Sequence, residues 1–170
     1  MTGEQNKALI RDFVEDVINR QDLAAAHHYV ATDFEEQDPL PQQEQGLEGL
    51  TRWLAMYFVA FPDARWTLEE QVAEEDRVLS RLTWSGTHAG PFLGIPATGK
   101  RVAVSGAVLD RIADGKLQQS RMLMDTLGLM RQLGSTRAEP DTQKEGTNDR
   151  NRERVHRATM DRGVQRKEHG

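Results

Sequence analysis

The stretch around which the chain is organised, Gly86 to Gly134, contains two side chains whose position suggests proton-transfer chemistry, His88 and Asp125. His88 stands in Gly86 to Lys100, where four glycines and two prolines in fifteen residues exclude a helix or a central strand. Its imidazole could titrate near neutral pH and contact a ligand, or it could hold the loop by a hydrogen bond. Asp125 directly precedes Thr126 and a leucine-rich segment, so its carboxylate could transfer protons or cap the following helix. Each side chain therefore has a catalytic and a structural interpretation.

Several other kinds of chemistry are excluded or disfavoured by the residue types. The chain has no cysteine, so it can form no disulfide, thiolate zinc site or cysteine nucleophile. The adjacent His27 and His28 would point about 100° apart on a helix, and together with His88 they form no recognised ligand spacing. The segment Gly86 to Gly99 matches neither the dinucleotide-binding nor the P-loop pattern. We therefore expect no metal and no nucleotide cofactor.

Charge divides the 170 residues into an acidic body and a mixed tail. Residues 1–135 hold 13 Lys+Arg and 20 Asp+Glu, net −7, which argues against nucleic acid as the main partner. Residues 136–170 carry 16 charges in 35 positions, net +2, and are predicted to be disordered or marginally helical over 148–162. The N-terminus lacks a secretory signal, and the longest apolar run, Leu54 to Phe61, is too short to span a membrane. We expect a cytoplasmic protein with one domain, residues 1–135, and no membrane partner.

The N-terminal third has the periodicity of helices. Residues 4–18 place apolar side chains on one side at helical spacing, and Asp22 is a good N-cap for a shorter helix through about Val30. Thr32 to Gly46 is predicted to be a polar loop. Leu47 to Phe61 is predicted to be a third helix with a wide apolar stripe, ended by Pro62.

The period then changes from 3.6 to 2. Four strands are expected, beginning at Arg65, Arg77, Arg101 and Leu117, with a tight hairpin at Ala113 to Lys116. On the first strand Trp66, Leu68, Glu70 and Val72 would share a face, and on the last strand Arg121, Leu123 and Asp125 would share one. Helices followed by an antiparallel meander predict an α+β domain.

Five motifs in a fixed order carry a family resemblance: Phe61-Pro-Asp63, Gly86-Thr-His-Ala-Gly90, Phe92-Leu-Gly-Ile-Pro-Ala-Thr-Gly-Lys100, Ile112-Ala-Asp-Gly-Lys116 and Asp125-Thr-Leu-Gly-Leu-Met-Arg-Gln-Leu-Gly134. Over roughly residues 5–134 the chain resembles the SnoaL-like polyketide cyclase (ester cyclase) family. The resemblance implies the cone-shaped α+β barrel also found in ketosteroid isomerase and nuclear transport factor 2, in which a bent antiparallel sheet curls around a helix and encloses an apolar pocket.

The resemblance also implies an activity. Characterised cyclases of the family close a ring by intramolecular aldol condensation of an aromatic polyketide ester, without metal or cofactor. By motif position Asp125 is their acid/base. Burial in an apolar pocket would raise the pKa of this carboxyl toward the range where it can take and return a proton.

Two positions depart from the family pattern. Gln37 stands where relatives often carry histidine, and Gln37 can orient a carbonyl but cannot exchange a proton. Arg121 stands where they often carry tryptophan, and in the pocket it would favour a more polar ligand and lower the pKa of Asp125. Arg121 and His88 are further catalytic candidates. The substrate-binding candidates are Gln37, Trp53, Tyr57, Phe58, Trp66, Trp84, Phe92, Arg111 and Met124.

The sequence therefore predicts a cofactor-independent cyclase, or a related lyase or isomerase, acting on a small hydrophobic carbonyl compound. The alternative is a non-catalytic small-molecule-binding or assembly module of the same fold, favoured by Gln37, Arg121 and the charged tail. A hydrolase or hydroxylase would need a second polar residue near Asp125. By resemblance we also expect a homodimer, because a second subunit commonly covers the exposed sheet face in this fold.

Overall fold

A computed structural model describes residues 1–41 and 43–135; the predicted tail, residues 136–170, lies outside the described residues. The elements follow one another in this order: α1 (Gly3–Phe13), a π-helical segment (Val14–Asn19), a 3-10 turn (Leu23–Ala25), α2 (Ala26–Tyr29), β1 (Val30–Glu36), α3 (Gly46–Ala60), β2 (Arg65–Glu74), β3 (Arg77–Thr87), β4 (Arg101–Ala113), β5 (Lys116–Met124) and α4 (Thr126–Leu133).

The first helix begins at a capping box. The Thr2 hydroxyl accepts a hydrogen bond from the Gln5 amide, and the Gln5 side chain accepts one from the Thr2 amide. From α1 the chain continues into the wider π-helical segment, and Ile10, Val17 and Ile18 from the two segments are buried. The amphipathic helix predicted over residues 4–18 is confirmed.

The next stretch differs from the prediction. Asp22 does act as an N-cap, but it caps only a 3-10 turn, and helix α2 ends at Tyr29. The predicted polar loop from Thr32 begins instead with strand β1, which pairs in parallel with β5. Its partner lies more than 80 residues later in the chain, so no local pattern could indicate this pairing.

Five strands form one curled sheet in the order β1-β5-β4-β3-β2. Strands β2 to β5 are the predicted antiparallel meander, whereas β1 adds a parallel edge. The helices pack on this sheet, so the predicted α+β fold class is confirmed. None of the helices in the described part of the chain is long and apolar enough to cross a membrane.

Two strands change register along their length. On β2, Leu68 pairs with Leu82 but Glu70 pairs with Arg81, so one residue is extra. On β5, Leu117 pairs with Ile112 while Gln119 pairs with Arg111, so Gln118 is extra. Because side chains alternate along a strand, each bulge moves all later side chains to the opposite face.

On β2 the bulge explains a prediction that is wrong. Trp66 and Leu68 face the core as expected. Beyond the bulge Val72 is exposed and Ala73 packs against the core instead. The predicted shared face is therefore correct for Trp66 and Leu68, which precede the register shift, and wrong for Glu70 and Val72, which follow it.

An aromatic cluster fixes helix α3 against the sheet. Tyr57 stacks on Trp53 with ring centroids 5.5 Å apart, and the edges of Trp84 and Phe92 meet Tyr57 at 5.5 and 6.2 Å. The loop after β3 docks on the end of this helix, where the amides of Ala89 and Gly90 donate to the Ala60 carbonyl. This contact joins the glycine-rich loop to the helix that covers the core.

We expect Gly90→Ala to lower the free energy of unfolding by about 2–3 kcal/mol, because a Cβ there would lie 2.6 Å from the Val59 carbonyl oxygen. Urea denaturation measures the change. The control is Gly94→Ala in the same loop, where no atom lies within 4 Å and only the positive φ of +79° opposes the substitution, at about 1 kcal/mol. Equal losses in the two variants would contradict the close docking of the loop.

Candidate active site

A cavity of about 120 Å³ lies between helices α1 and α3 and the concave face of the sheet. Its walls are mostly apolar, with Phe13, Trp53, Trp66, Val108 and Met124 among the lining side chains. Polar side chains also line it: Glu36, Asp38, Gln43, Ser80, Asp110, Ser120 and Thr126. Few polar groups in an apolar enclosure are typical of a small-molecule site.

Three of these polar residues form one row across neighbouring strands. Glu36 on β1 pairs with Ser120 on β5, and Ser120 pairs with Asp110 on β4. Adjacent strands lie about 4.8 Å apart, so the two carboxylate-bearing residues are separated by about 10 Å at their Cα atoms. The row therefore places two carboxyl groups and a hydroxyl on one wall of the cavity.

Asp110 is the more enclosed of the two carboxyl groups, with an exposed fraction of 4%. Ser120 donates a hydrogen bond to Asp110 Oδ1 at 2.5 Å. Burial raises the pKa of Asp110 to about 7; the Ser120 hydrogen bond opposes this rise, and the charge of Glu36 adds to it. The Asp110 carboxyl can therefore exist in either protonation state near neutral pH.

Glu36 is held at the other end of the row, with an exposed fraction of 7%. The Gln45 side chain accepts a hydrogen bond from the Glu36 amide and donates one to its carbonyl, which fixes the backbone. Burial raises the pKa of Glu36 to about 7. Nearby backbone amides, first that of Asp38, lower this pKa, and the charge of Asp38 raises it.

Asp125 lies elsewhere. Its side chain is exposed, does not line the cavity, and caps α4 by accepting a hydrogen bond from the Gly128 amide at 2.8 Å. The expected pocket position for Asp125 is wrong because the bulge at Gln118 reverses the alternation of β5. Met124 and Thr126 face the cavity, and Asp125 between them points outward.

Arg121 shares the outward face of β5. Its Nε lies 3.0 Å from Asp38 Oδ2, and both side chains are about half exposed. The expectation that Arg121 enters the pocket and acts on Asp125 is therefore wrong for the same geometric reason. Asp38 does line the cavity, so the ion pair lies beside it.

Gln37 and Arg111 also lie outside the cavity lining. Gln37 is exposed, and its backbone amide donates to the Ser120 carbonyl, so the preceding residue, Glu36, is the one that faces the cavity. Arg111 donates from Nε to Asp76 Oδ2 at 2.9 Å at a hairpin end. The pocket positions expected for these two side chains are wrong.

His88 is fully buried in the glycine-rich loop, away from the cavity lining. Its Nδ1 lies 3.1 Å from the Thr98 hydroxyl, its backbone amide donates to the Lys100 carbonyl, and its ring stacks on Phe61 at 5.2 Å. Burial lowers the pKa of His88, which favours the neutral imidazole. These contacts are those of a residue that shapes the loop.

The aromatic candidates divide into two sets. Trp53 and Trp66 line the cavity, as does Met124. Outside the lining, buried in the core cluster, are Tyr57, Phe58, Trp84 and Phe92. The Trp66 indole donates to the Tyr57 hydroxyl at 3.1 Å, which links the two sets.

Glu36, Asp110 and Ser120 were not predicted from the sequence. For Asp110 a signal existed, because Val102, Val104 and Val108 are buried on the same face of β4 and Asp110 continues their alternation. A carboxylate in phase with buried valines is unusual enough to indicate a site. Predicting that Ser120 faces inward would have required the position of the bulge. Predicting the same of Glu36 would have required strand β1, which pairs with β5.

The arrangement can move protons to and from a carbonyl compound. Two carboxyl groups with raised pKa values face one apolar space, so one can be ionised while the other is protonated near neutral pH. Among the residues the structure describes, no group of three or more histidine, cysteine, aspartate or glutamate side chains is placed to hold a metal ion.

The chain is similar in sequence and in fold to known proteins. The sequence model of the family described as SnoaL-like polyketide cyclase matches residues 8–133. The aklanonic acid methyl ester cyclase DauD of Streptomyces sp. (strain C5) is 32% identical over 117 residues, which are 68% of this chain and 70% of DauD. The aklanonic acid methyl ester cyclase DnrD of Streptomyces peucetius is 41% identical over 76 residues, 44% of this chain and 52% of DnrD.

A solved structure extends the likeness. The structure of TsrD from Streptomyces laurentii superposes with a TM-score of 0.74 at 32% sequence identity and covers 80% of this chain and 99% of TsrD. The similarity therefore spans nearly the whole of that protein's fold.

We expect Asp110→Asn to stabilise the protein at high pH. A carboxyl whose pKa rises from 3.8 to about 7 on folding keeps its proton in the folded state after the unfolded chain has released it. Wild-type stability therefore falls as pH rises from about 4 to about 7. Above pH 8 the free energy of unfolding of the variant should exceed that of the wild type by roughly a few kcal/mol, and the difference should be smallest near pH 4.

Urea denaturation across this pH range measures the effect. The control is Asp114→Asn, an exposed aspartate in the β4–β5 turn, which should leave the pH dependence unchanged. A pH dependence identical in Asp110→Asn and wild type would contradict the burial of an ionisable Asp110.

Proposed function

This chain belongs to the SnoaL-like polyketide cyclase family, and we propose that it closes a ring in a polyketide-type ester by intramolecular aldol condensation inside the cavity. DauD and DnrD are cyclases of aklanonic acid methyl ester, which supports a substrate of the same class. The observation that carries the proposal is the buried Asp110 carboxyl on an apolar wall, with Glu36 in the same row.

The reaction needs only proton transfer and positioning. A carboxylate takes the proton from a carbon that neighbouring carbonyls acidify, and the resulting enolate carbon attacks a ketone of the same chain. A carbon–carbon bond forms, and the ketone oxygen takes a proton from an acid. Nothing is oxidised or reduced, so the proposed reaction requires no cofactor. The cavity contributes by holding the two ends of a flexible chain together.

Cavity size bears on how the substrate would sit. An enclosed volume of about 120 Å³ suits one ring, since a cavity of about 150 Å³ binds benzene. We propose that the closing ring enters the enclosed part and that the remainder of a larger substrate extends past Asp38 and Thr126, which lie at exposed positions of the lining.

The family resemblance implies a second candidate for the acid/base, Asp125. Its neighbours Met124 and Thr126 line the cavity, whereas its own side chain caps α4. The buried row and the motif aspartate are therefore two candidates for one role, and they differ in a measurable way.

We expect Asp110→Asn to lower kcat/KM for ring closure of aklanonic acid methyl ester by about 100-fold or more, because general acid or base catalysis is lost. We expect Asp125→Asn, in which asparagine can still cap α4, to change it by less than about 10-fold. Product formation followed by liquid chromatography and mass spectrometry measures both. Loss in Asp125→Asn with full activity in Asp110→Asn would transfer the role to Asp125.

A homodimer and a cytoplasmic location remain predictions from the sequence. The convex face of the sheet supports the first, because Val72, Leu79 and Leu123 are 60, 47 and 66% exposed there. In the sheet Leu79 pairs with Leu109 and Leu123 with Ala107, so apolar side chains adjoin across three strands. A second copy would bury this face.

We expect Leu123→Lys to halve the mass measured by light scattering, because a charge at the centre of the proposed interface would oppose its burial. The matched control is Val59→Lys, at a position 69% exposed on α3, which should leave the mass unchanged. A monomeric wild type, or a dimer that persists in Leu123→Lys, would contradict this interface.

A further inference from the structure

We infer that Glu36 and Asp110 divide the proton transfers between them: ionised Glu36 removes the carbon-bound proton, and protonated Asp110 gives a proton to the oxygen that becomes negative. The inference rests on the proposed function and deepens it, because it assigns a separate role to each carboxyl group of the cavity.

The placement of the two groups suits such a division. Both line the same cavity, and Ser120 stands between them in the row, so the Cα atoms of Glu36 and Asp110 lie about 10 Å apart. From the two ends of the row, one carboxyl group can reach the carbon that loses its proton while the other reaches the ketone oxygen. A carboxyl pair separated enough to admit a reacting group can act as base and acid on opposite sides of it.

The surroundings of each group decide which role it takes. Backbone amides of Asp38, Gln37 and Met122 lie close enough to Glu36 to favour its ionised form. Asp110 receives only the Ser120 hydroxyl, on Oδ1, and its exposed fraction is lower. The more enclosed group with fewer donors keeps its proton more readily, and Oδ2 of Asp110 has no hydrogen-bond partner among the described residues.

The other charged side chains near the row form ion pairs of their own. Asp38 lies beside Glu36, and its charge is compensated by Arg121 at 3.0 Å. Arg111 is paired with Asp76 at 2.9 Å at the hairpin end. Glu36 and Asp110 are the two buried carboxyl groups that line the cavity, whereas Asp38 is about half exposed.

The steps balance without a further reactant. The carbon–hydrogen bond breaks as its proton passes to a Glu36 oxygen, and the electron pair forms the enolate. The enolate carbon bonds to the ketone carbon while the ketone oxygen takes the Asp110 proton. Glu36 is then protonated and Asp110 ionised, and proton exchange with solvent restores both. Ser120 is a positioning residue, since its hydroxyl orients the Asp110 carboxyl.

The division can be tested by separating proton removal from ring closure. The ketone 2-tetralone has an acidified carbon–hydrogen bond but no second ketone to attack, so in deuterium oxide it reports removal of the proton alone, by proton NMR. Aklanonic acid methyl ester reports ring closure. Three variants are compared with the wild type on both compounds: Glu36→Gln, Asp110→Asn and the control Glu35→Gln.

Glu35 is a matched control because it is on the same strand, faces outward and pairs with the Gln119 side chain at 2.7 Å. We expect Glu36→Gln to lose about 100-fold or more in both exchange and ring closure. We expect Asp110→Asn to lose about 100-fold in ring closure but less than about 10-fold in exchange. Glu35→Gln should match the wild type in both.

The outcomes separate this inference from the proposed function. Ring closure by Glu36→Gln at the wild-type rate, or wild-type exchange no faster than in buffer, overturns the division of roles while leaving the cyclase proposal standing. Equal losses of exchange in Glu36→Gln and Asp110→Asn also overturn it. Exchange that depends on Glu36 in a wild type that closes no ring would refute the proposed function and retain Glu36 as the base. Glu36→Asp keeps the carboxylate and should recover part of the exchange. This rescue tests the role of Glu36 whether or not Glu36→Gln folds.

Discussion

The candidate site depends on one irregularity in the sheet, the extra residue Gln118 on β5. Before it Leu117 faces the core, and after it Ser120, Met122 and Met124 do so. With strict alternation from Leu117, the inward side chains would have been Gln119, Arg121, Leu123 and Asp125. The bulge therefore decides whether the cavity holds an arginine and an aspartate or a serine that orients Asp110.

Two buried carboxyl groups oppose folding above the pH at which they would ionise in the unfolded chain. The aromatic cluster around Tyr57 and the apolar walls of the cavity offset that cost by burying large side chains. Gln45 fixes the backbone of Glu36, and Ser120 orients the carboxyl group of Asp110. The contacts of α3 with the sheet thus stabilise the fold. The two buried carboxyl groups of the row lower the stability, and they are the groups that can exchange protons near neutral pH.

The sequence was sufficient where a local period determines the element. Helices α1 and α3, the antiparallel meander and the α+β class follow from spacing of apolar residues, and the motif order indicated the family. It was insufficient where a long-range pairing or a single extra residue decides the outcome. Strand β1 exists through its pairing with β5, and Glu36 rather than Gln37 faces inward as a result. The bulges on β2 and β5 carry no signal in glycine or proline, so Asp125 and Arg121 were assigned to the wrong face. Asp110 alone could have been found, from its phase with buried valines on β4.

The central claim is that a titratable carboxyl pair is buried on the cavity wall, and carbon-detected NMR titration of the Asp110 and Glu36 carboxyl groups tests it most directly. Asp110→Asn and Glu36→Gln assign the two signals. The structure leads us to expect both to titrate near pH 7, well above the ordinary range of about 3.9 to 4.3. Titration of both groups at or below about pH 4 would contradict the account, because it would place them in contact with water or a cation rather than in the apolar cavity.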